Sequence, residues 1–176
     1  DTLSLHDALP IYVAPMPPIG LGITPADSQV DTTADPAAGV AGVLAQLAPP
    51  LLHLGLRSPQ EAVHWPGVAR LLAAGGSRLR LDVEGLDGCD AAASLGALAR
   101  DMARAGVSPC DVAVFPGTPA ILAAARQAFA TAAIGSGTPH YFAQINRIEG
   151  LGAVDFLSFT ASSIVHGADD DAVMHG

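Results

Sequence analysis

The residues best placed to do chemistry form the row Arg80-x-Asp82-x-Glu84, in which charged and apolar residues alternate. Successive side chains of a β-strand point to opposite faces, so this spacing puts all three charges on one face. A carboxylate on that face can take a proton from water or bind a substrate hydroxyl, whereas an arginine beside it can form a structural ion pair. The spacing alone leaves both interpretations open.

A second polar group contains Thr138, His140, Gln144 and Asn146. The pair Thr138-Pro139 predicts the start of a helix, with a capping side chain before a proline. Side chains clustered there can bind hydroxyl groups of a ligand. Solvated residues of a first helical turn would show the same spacing, so this interpretation also stays open.

Four further polar residues are interpreted as structural. Asp27 and Arg57 follow the first two predicted strands and are expected to be loop or capping groups. His53 lies within a strand and is interpreted as a core histidine with satisfied hydrogen bonds. His64, beside Trp65, is expected to mark a helix kink.

Several common catalytic motifs are absent from the sequence. It contains no G-x-S-x-G, H-E-x-x-H or P-loop pattern, which removes the commonest serine-hydrolase, zinc-protease and nucleotide interpretations. Cys89 and Cys110 have neither zinc-ligand nor redox spacing. We therefore expect neither a metal nor another cofactor.

Short β-prone runs alternate with helical patterns and would position these side chains. The six predicted strands are Ile19–Thr24, Leu51–Leu56, Leu79–Glu84, Asp111–Phe115, Thr131–Ile134 and Asp155–Thr160. Alternation of strand and helix predicts parallel strands with right-handed crossovers. The sequence thus indicates an α/β fold, a partial (β/α)8 barrel of the TIM type with about six parallel βα units. Ligands of such folds bind beyond the carboxyl ends of the strands.

The helices between the strands carry start signals and apolar stripes. Val40, Val43, Leu44 and Leu47 predict one buried face of a first helix, and Leu95, Leu98 and Met102 predict that of a later one. Four pairs predict a capped helix start: Asp35-Pro36, Ser58-Pro59, Thr118-Pro119 and Thr138-Pro139.

Composition narrows the class of partner. Half of the 176 residues are hydrophobic and 14% are charged, so a disordered chain is excluded. The net charge is −9 and every basic residue is arginine, which argues against nucleic acid and anionic membranes as partners. Polar residues and prolines interrupt both of the most apolar stretches, so we expect a soluble protein.

The two ends of the chain suggest that it has been cut. Residues 1–11 resemble the translated read-through of a sequencing adapter, and we expect them to be non-native. Residues 12–176 would then be a barrel domain truncated at both ends. Unpaired apolar strand edges of such a domain would favour self-association.

Residues 134–174 resemble the bacterial D-apionate lactonase family. The family pattern is Gly-Gly-Gly-Thr, Phe-x-Glu-Leu-Asn-Arg, Asp-Phe-x-x-Phe and Val-His-Ala-x-Asp-Asp. Its matching positions here are Gly135, Gly137, Thr138, Phe142, Asn146, Arg147, Asp155, Phe156, Val165, His166, Asp169 and Asp170. The resemblance implies a glycosidase-like barrel that hydrolyses the lactone of a branched pentose acid in cytoplasmic carbohydrate catabolism.

Lactone opening needs a base that activates water and a donor that stabilises the oxyanion. Glu84 is the candidate base or substrate-binding carboxylate, and His166 or His140 the candidate acid or donor. The candidate hydroxyl-binding groups are Asp82, Thr138, Asn146 and, where the family pattern has glutamate, Gln144. Glutamine cannot transfer a proton. If this position is the acid or base of the family, the protein is impaired or uses Glu84 instead; if the position only binds a hydroxyl, Gln144 can replace glutamate.

Two alternatives stay open at this stage. A glycoside hydrolase would need two carboxylates about 5 to 9.5 Å apart, and Glu84 would have to be joined by Asp169 or by a residue outside the chain. The other alternative is a non-catalytic fragment with an incomplete site. Comparing hydrolysis of an aryl glycoside with hydrolysis of a sugar lactone distinguishes the glycoside hydrolase from the lactonase. A reading frame that continues upstream of Tyr12 would indicate that the chain is a fragment.

Overall fold

The computed structural model describes residues 18–29, 39–148 and 150–160. Several features of the sequence lie outside these residues: the segment 1–11, the Asp35-Pro36 pair, and the residues Val165, His166, Asp169 and Asp170 of the family pattern. The described strands form one six-stranded sheet in sequence order, and each strand is parallel to the next. They are β1 (Gly20–Ile23), β2 (Leu51–Leu56), β3 (Arg78–Val83), β4 (Pro109–Val114), β5 (Ala133–Tyr141) and β6 (Phe156–Thr160). The prediction of six parallel strands is confirmed.

Helices connect the strands as the alternating pattern predicts. The α-helices are α1 (Val40–Leu47), α2 (Trp65–Gly75), α3 (Ala91–Arg104) and α4 (Pro119–Ala128), and short 3-10 helices cover Pro25–Gln29 and Phe142–Arg147. None of the helices within the described ranges is long and apolar enough to cross a membrane.

One face of the sheet packs against these helices and forms the core. Alternate residues of the strands point into this layer, and each is at most 1% exposed: Leu52, Leu54, Leu56, Leu79, Leu81, Val83, Val112, Val114 and Ile134. Burial of a side chain of this size is worth about 1.5–3 kcal/mol. The other face of each strand is therefore left for polar residues.

The sheet curls so that its polar face is concave. Arg80 on β3 donates a hydrogen bond from Nη2 to Ser158 Oγ on β6, over 2.6 Å. In a flat sheet these strands would lie roughly 14 Å apart, three strand spacings. The cross-sheet contact is possible because the six strands form a curved half-barrel, and the predicted fold is confirmed.

Two glycines of β5 allow β6 to pack closely against it. A Cβ on Gly135 would overlap the ring of Phe156, and one on Gly137 would overlap the carbonyl of Ser158. Gly137 also has a φ of 151°, which an L side chain rarely adopts. The Gly135-Ser136-Gly137 segment therefore contributes to barrel closure in this region.

Helix starts were predicted with mixed success. Thr118 caps α4, since its Oγ1 accepts from Ile121 N at 3.4 Å, as predicted. The Ser58-Pro59 prediction is wrong: α2 begins only at Trp65.

The Thr138-Pro139 prediction is also wrong, because both residues lie in β5. Pairing with β6 continues to Tyr141 opposite Thr160, across a register shift. Proline has no backbone N–H, and such an irregularity tolerates it within a strand.

The apolar stripes were predicted in part. Leu95, Leu98 and Met102 are buried in α3, as expected. In α1 only part of the stripe is covered: Leu44 is 3% exposed, whereas Val43 and Leu47 are 53% and 60% exposed. Helix α1 packs against α2 on one side, so the periodic pattern overestimates its buried face.

Candidate active site

The polar residues of β2 and β3 meet on the concave face because of strand register. His53 is aligned with Arg80, and Gly55 is aligned with Asp82. Since the strands are parallel, their carboxyl ends open on one side of the sheet, where ligands bind in folds of this kind. The alternation that predicted a charged face in β3 is confirmed.

Asp82 lies at the centre of this polar cluster. Its Oδ1 is 3.2 Å from Arg80 Nε, and its Oδ2 is 3.1 Å from His53 Nε2. The side chain of Asp82 is only 15% exposed. The carboxylate is thus held on both sides, and the structural ion pair foreseen between Arg80 and Asp82 is present.

Glu84 lies just beyond the end of β3. Its backbone N–H donates to the carbonyl of Leu56 at 2.9 Å, which extends the pairing with β2 by one residue. Its side chain is half-buried, and no described residue forms an ion pair or hydrogen bond with it. A carboxylate without a protein partner at a strand's carboxyl end is available to water or to a substrate.

Thr138 and His140 are placed by β5 rather than by a helix. Thr138 is buried, and its Oγ1 accepts from the backbone N–H of His140 at 3.0 Å. This hydrogen bond spans the residues where the register with β6 shifts. His140 itself is exposed.

The remaining predicted residues follow β5 or lie beyond the described part. Gln144 is exposed in the 3-10 helix that follows this strand. Asn146 belongs to the same helix, and its side chain is outside the description, as is the whole of His166. The structure therefore brings Asp82 and Glu84 together on the β3 side, with Thr138 and His140 two strands away.

His53 is the residue that sequence reasoning misjudged. It is not a satisfied core histidine: its side chain is 43% exposed, and its buried Nε2 lacks an aligned hydrogen bond despite lying close to Asp82. The position of His53 beside Asp82 results from the pairing of β2 with β3, and no local sequence pattern contains this pairing.

The other two interpreted loop residues have structural roles. Asp27 Oδ2 accepts from Thr24 N at 2.7 Å and from its hydroxyl at 2.8 Å, which is a capping arrangement. Arg57 is a loop residue whose backbone N–H donates to Glu61 Oε2 at 2.7 Å. Both expectations are confirmed.

His64 also has a structural role, but a different one from that expected. It precedes α2 and contacts Ser28, with its Nδ1 3.1 Å from the Ser28 carbonyl. The residue therefore marks the start of a helix and not a kink.

One ionisable thiol lies near the cluster. Burial, reinforced by the charge of Asp111, raises the pKa of Cys110, whose Sγ lies 3.2 Å from the carbonyl of Leu79. This environment disfavours the reactive thiolate. In the part of the chain that the structure describes, no three histidine, cysteine or acidic side chains converge in a way that could hold a metal ion.

A curved, all-parallel βα sheet with carboxylates at the carboxyl ends of its strands defines a barrel of the TIM class. The family described as "D-apionate lactonase, TIM barrel domain" matches residues 19–176, and the chain belongs to this family.

A curated relative gives a similar result. The protein named D-apionate lactonase from Brucella anthropi is 38% identical over 96 residues. That match covers 44% of this chain and 16% of the relative, so the chain spans only a small part of the relative's length.

Proposed function

We propose that this domain hydrolyses a sugar-acid lactone of the D-apionolactone type to the aldonate, in cytoplasmic carbohydrate catabolism. Family membership supports a lactonase-type role. The observation that carries the proposal is the half-buried side chain of Glu84, which has no partner among the described residues and lies at the carboxyl end of β3, beside Asp82.

Lactone opening requires one proton to be taken up and one to be delivered. The oxygen of a water molecule forms a bond to the carbonyl carbon while a base takes its proton. The tetrahedral oxyanion then collapses, the bond to the ring oxygen breaks, and that oxygen receives a proton. The products are a hydroxyl and a carboxylic acid, which loses its proton to solvent.

The candidate residues can be assigned to these steps. Glu84 takes the proton of the attacking water. His140 or His166 protonates the leaving oxygen or donates to the oxyanion. Hydroxyl groups of the sugar are bound by Asp82, Thr138, Asn146 and Gln144. The whole protein would act on a small carbohydrate.

The test compares a substitution that removes a carboxylate with one that introduces a carboxylate. Glu84→Gln removes the base without changing its size, and turnover should fall about a hundredfold or more, with a smaller change in KM. Gln144→Glu restores the residue of the family pattern and should leave turnover unchanged if Glu84 is the base. Asp101→Asn, on the outer surface of α3, is the matched control for loss of a carboxylate.

The opposite pattern would contradict the assignment. If Glu84→Gln keeps full lactonase activity while Gln144→Glu raises it, Glu84 is structural and proton transfer belongs to the segment after β5. Rates are measured from the disappearance of the lactone carbonyl signal by NMR.

A further inference from the structure

Two glycines leave open space on the concave face beside His53. Gly22 on β1 is aligned with His53, and Gly55 on β2 is aligned with Asp82. A Cβ built on either glycine would meet no atom of the described residues within 4 Å, and neither glycine has a left-handed φ. Packing and backbone conformation therefore do not require glycine here, in contrast to Gly135.

The side chain of His53 borders this space with one nitrogen unused. Its Nε2 is buried 3.1 Å from Asp82 Oδ2. No described residue hydrogen-bonds to its Nδ1, and the ring is 43% exposed. An imidazole nitrogen can donate or accept a hydrogen bond according to the tautomer, so Nδ1 can form a hydrogen bond with a ligand hydroxyl in either direction.

A cavity extends from Gly55 to the carboxyl ends of the first two strands. Its volume is about 540 Å³, and Gly55 lines it together with Thr24, Gln29 and Arg57, whereas His53 and Gly22 do not. His53 lies two residues before Gly55 on the same face of β2, so a ring that contacts Gly55 lies beside it. Pockets for small molecules usually measure about 300–1,000 Å³ and carry a few polar groups. The cavity is thus large enough for a single sugar ring, and its walls are polar enough to orient one.

We propose that His53, with the open floor formed by Gly22 and Gly55, is a hydroxyl-binding subsite for the sugar-lactone ring. A ring hydroxyl forms a hydrogen bond with His53 Nδ1, Asp82 lies 3.1 Å from Nε2 on the other side of the imidazole, and the glycines leave room for the ring. The subsite determines which lactones fit. This inference rests on the proposed function, because it takes a polyhydroxylated lactone as the ligand.

The test is binding of a pentonolactam, which keeps the hydroxyls of the lactone but resists ring opening. Calorimetry on the full chain gives its Kd. Gly55→Val fills the floor with a residue suited to a strand, and it should weaken binding at least about tenfold. Gly88→Val is the matched control, since Gly88 also has open space and no left-handed φ, and it should leave Kd unchanged.

Substitutions of His53 test the hydrogen bond itself. His53→Phe should weaken binding about tenfold, the scale of one lost hydrogen bond with its acceptor. His53→Asn should lose less, because an amide oxygen can occupy the position of Nδ1. A second lactam that lacks the contacted hydroxyl should bind the wild type weakly, with a Kd close to that of the complete lactam for His53→Phe. The His53→Phe variant should bind both lactams with the same Kd.

Unchanged Kd values for both Gly55→Val and His53→Phe would overturn the subsite. If His53→Phe fails to fold by circular dichroism, Gly55→Val alone decides, because it fills space that is already open. The two proposals fail separately. If the wild type hydrolyses lactones but the variants bind the lactam as tightly as the wild type does, only the subsite is contradicted. If the variants bind the lactam more weakly but the wild type hydrolyses no lactone, the subsite is supported and the proposed function is contradicted.

Discussion

At the scale of single residues, Arg80 organises the interior of the half-barrel. Its Nε contacts Asp82, its Nη2 contacts Ser158, and its guanidinium lies 4.9 Å from the centre of the Phe156 ring. The planar, forked guanidinium can satisfy all three contacts at once, whereas the ammonium of lysine cannot. One side chain thereby connects β3 with β6.

We expect Arg80→Met to destabilise the fold by about 1–3 kcal/mol, because it leaves Asp82 and Ser158 without this partner. Arg80→Lys should have an intermediate effect. The free energy of unfolding is measured with urea, and Arg100→Met on the exposed side of α3 is the control. Equal stability of Arg80→Met and Arg100→Met would show that the cross-barrel contact contributes nothing.

The charges of this row and the ion pair between Arg80 and Asp82 were predictable from sequence, but the partners on other strands were not. Alternation along β3 placed Arg80 and Asp82 on one face, and the structure confirms it. The contact with Ser158 joins residues 78 positions apart, and that with His53 depends on strand register. Local spacing contains neither piece of information, so His53 was misinterpreted.

At the scale of elements, Asp155 joins three of them just before β6 begins. Its carboxylate accepts from Ile134 N on β5 at 2.7 Å and from Arg126 on α4 at 2.9 and 3.2 Å. The hydrogen bond from Arg126, assisted by that from Ile134, holds the pKa of Asp155 below its usual value. The start of β6 is thereby fixed against both neighbours.

Stability should depend on the ionisation of this carboxylate. Because its pKa is lower in the folded chain than the roughly 3.9 of an unfolded one, the native state binds fewer protons, and acid favours unfolding. The stability advantage of wild type over Asp155→Asn should be constant above about pH 5 and disappear as pH falls below about 4. Urea unfolding between pH 3 and 7 measures it.

Arg126→Gln provides the matched comparison for Asp155. The loss of unfolding free energy caused by Arg126→Gln should be about equal to that caused by Asp155→Asn. The double variant should lose little more than either single variant does. A difference between wild type and Asp155→Asn that persists unchanged at pH 3 would contradict the role assigned to the ion pair.

Strands were easier to predict than helix starts, for a physical reason. A strand buried against helices needs a short apolar run, and the runs in this sequence match the observed β2, β3 and β4 closely. A capping pair such as Thr138-Pro139 also suits an irregular strand, and the decision depends on a neighbour about twenty residues further along the chain. The long β5 is therefore a tertiary effect.

At the scale of the whole molecule, the described sheet has two edges, β1 and β6, each paired on one side. Apolar side chains are exposed at both, Ile19 just before β1 and Leu157 on β6, and α1 also exposes Val43 and Leu47. Such edges favour association. We propose that the chain self-associates through them.

Sedimentation velocity should then show a mass that rises with protein concentration. Val43→Glu, on a side chain that is 53% exposed, should reduce association without loss of the fold. Arg100→Glu is a control for added negative charge on another helix. A single monomeric species for wild type at every concentration would contradict the proposal.

The central claim is that the polar end of this barrel opens sugar lactones. Its most direct test mixes the purified chain with a pentono-1,4-lactone and, in a parallel sample, with an aryl glycoside, and follows both by NMR against a protein-free blank. The account predicts lactone opening well above the blank and no release of the aryl group. Aryl glycoside hydrolysis without lactone opening, or a lactone rate equal to that of the blank, would contradict it.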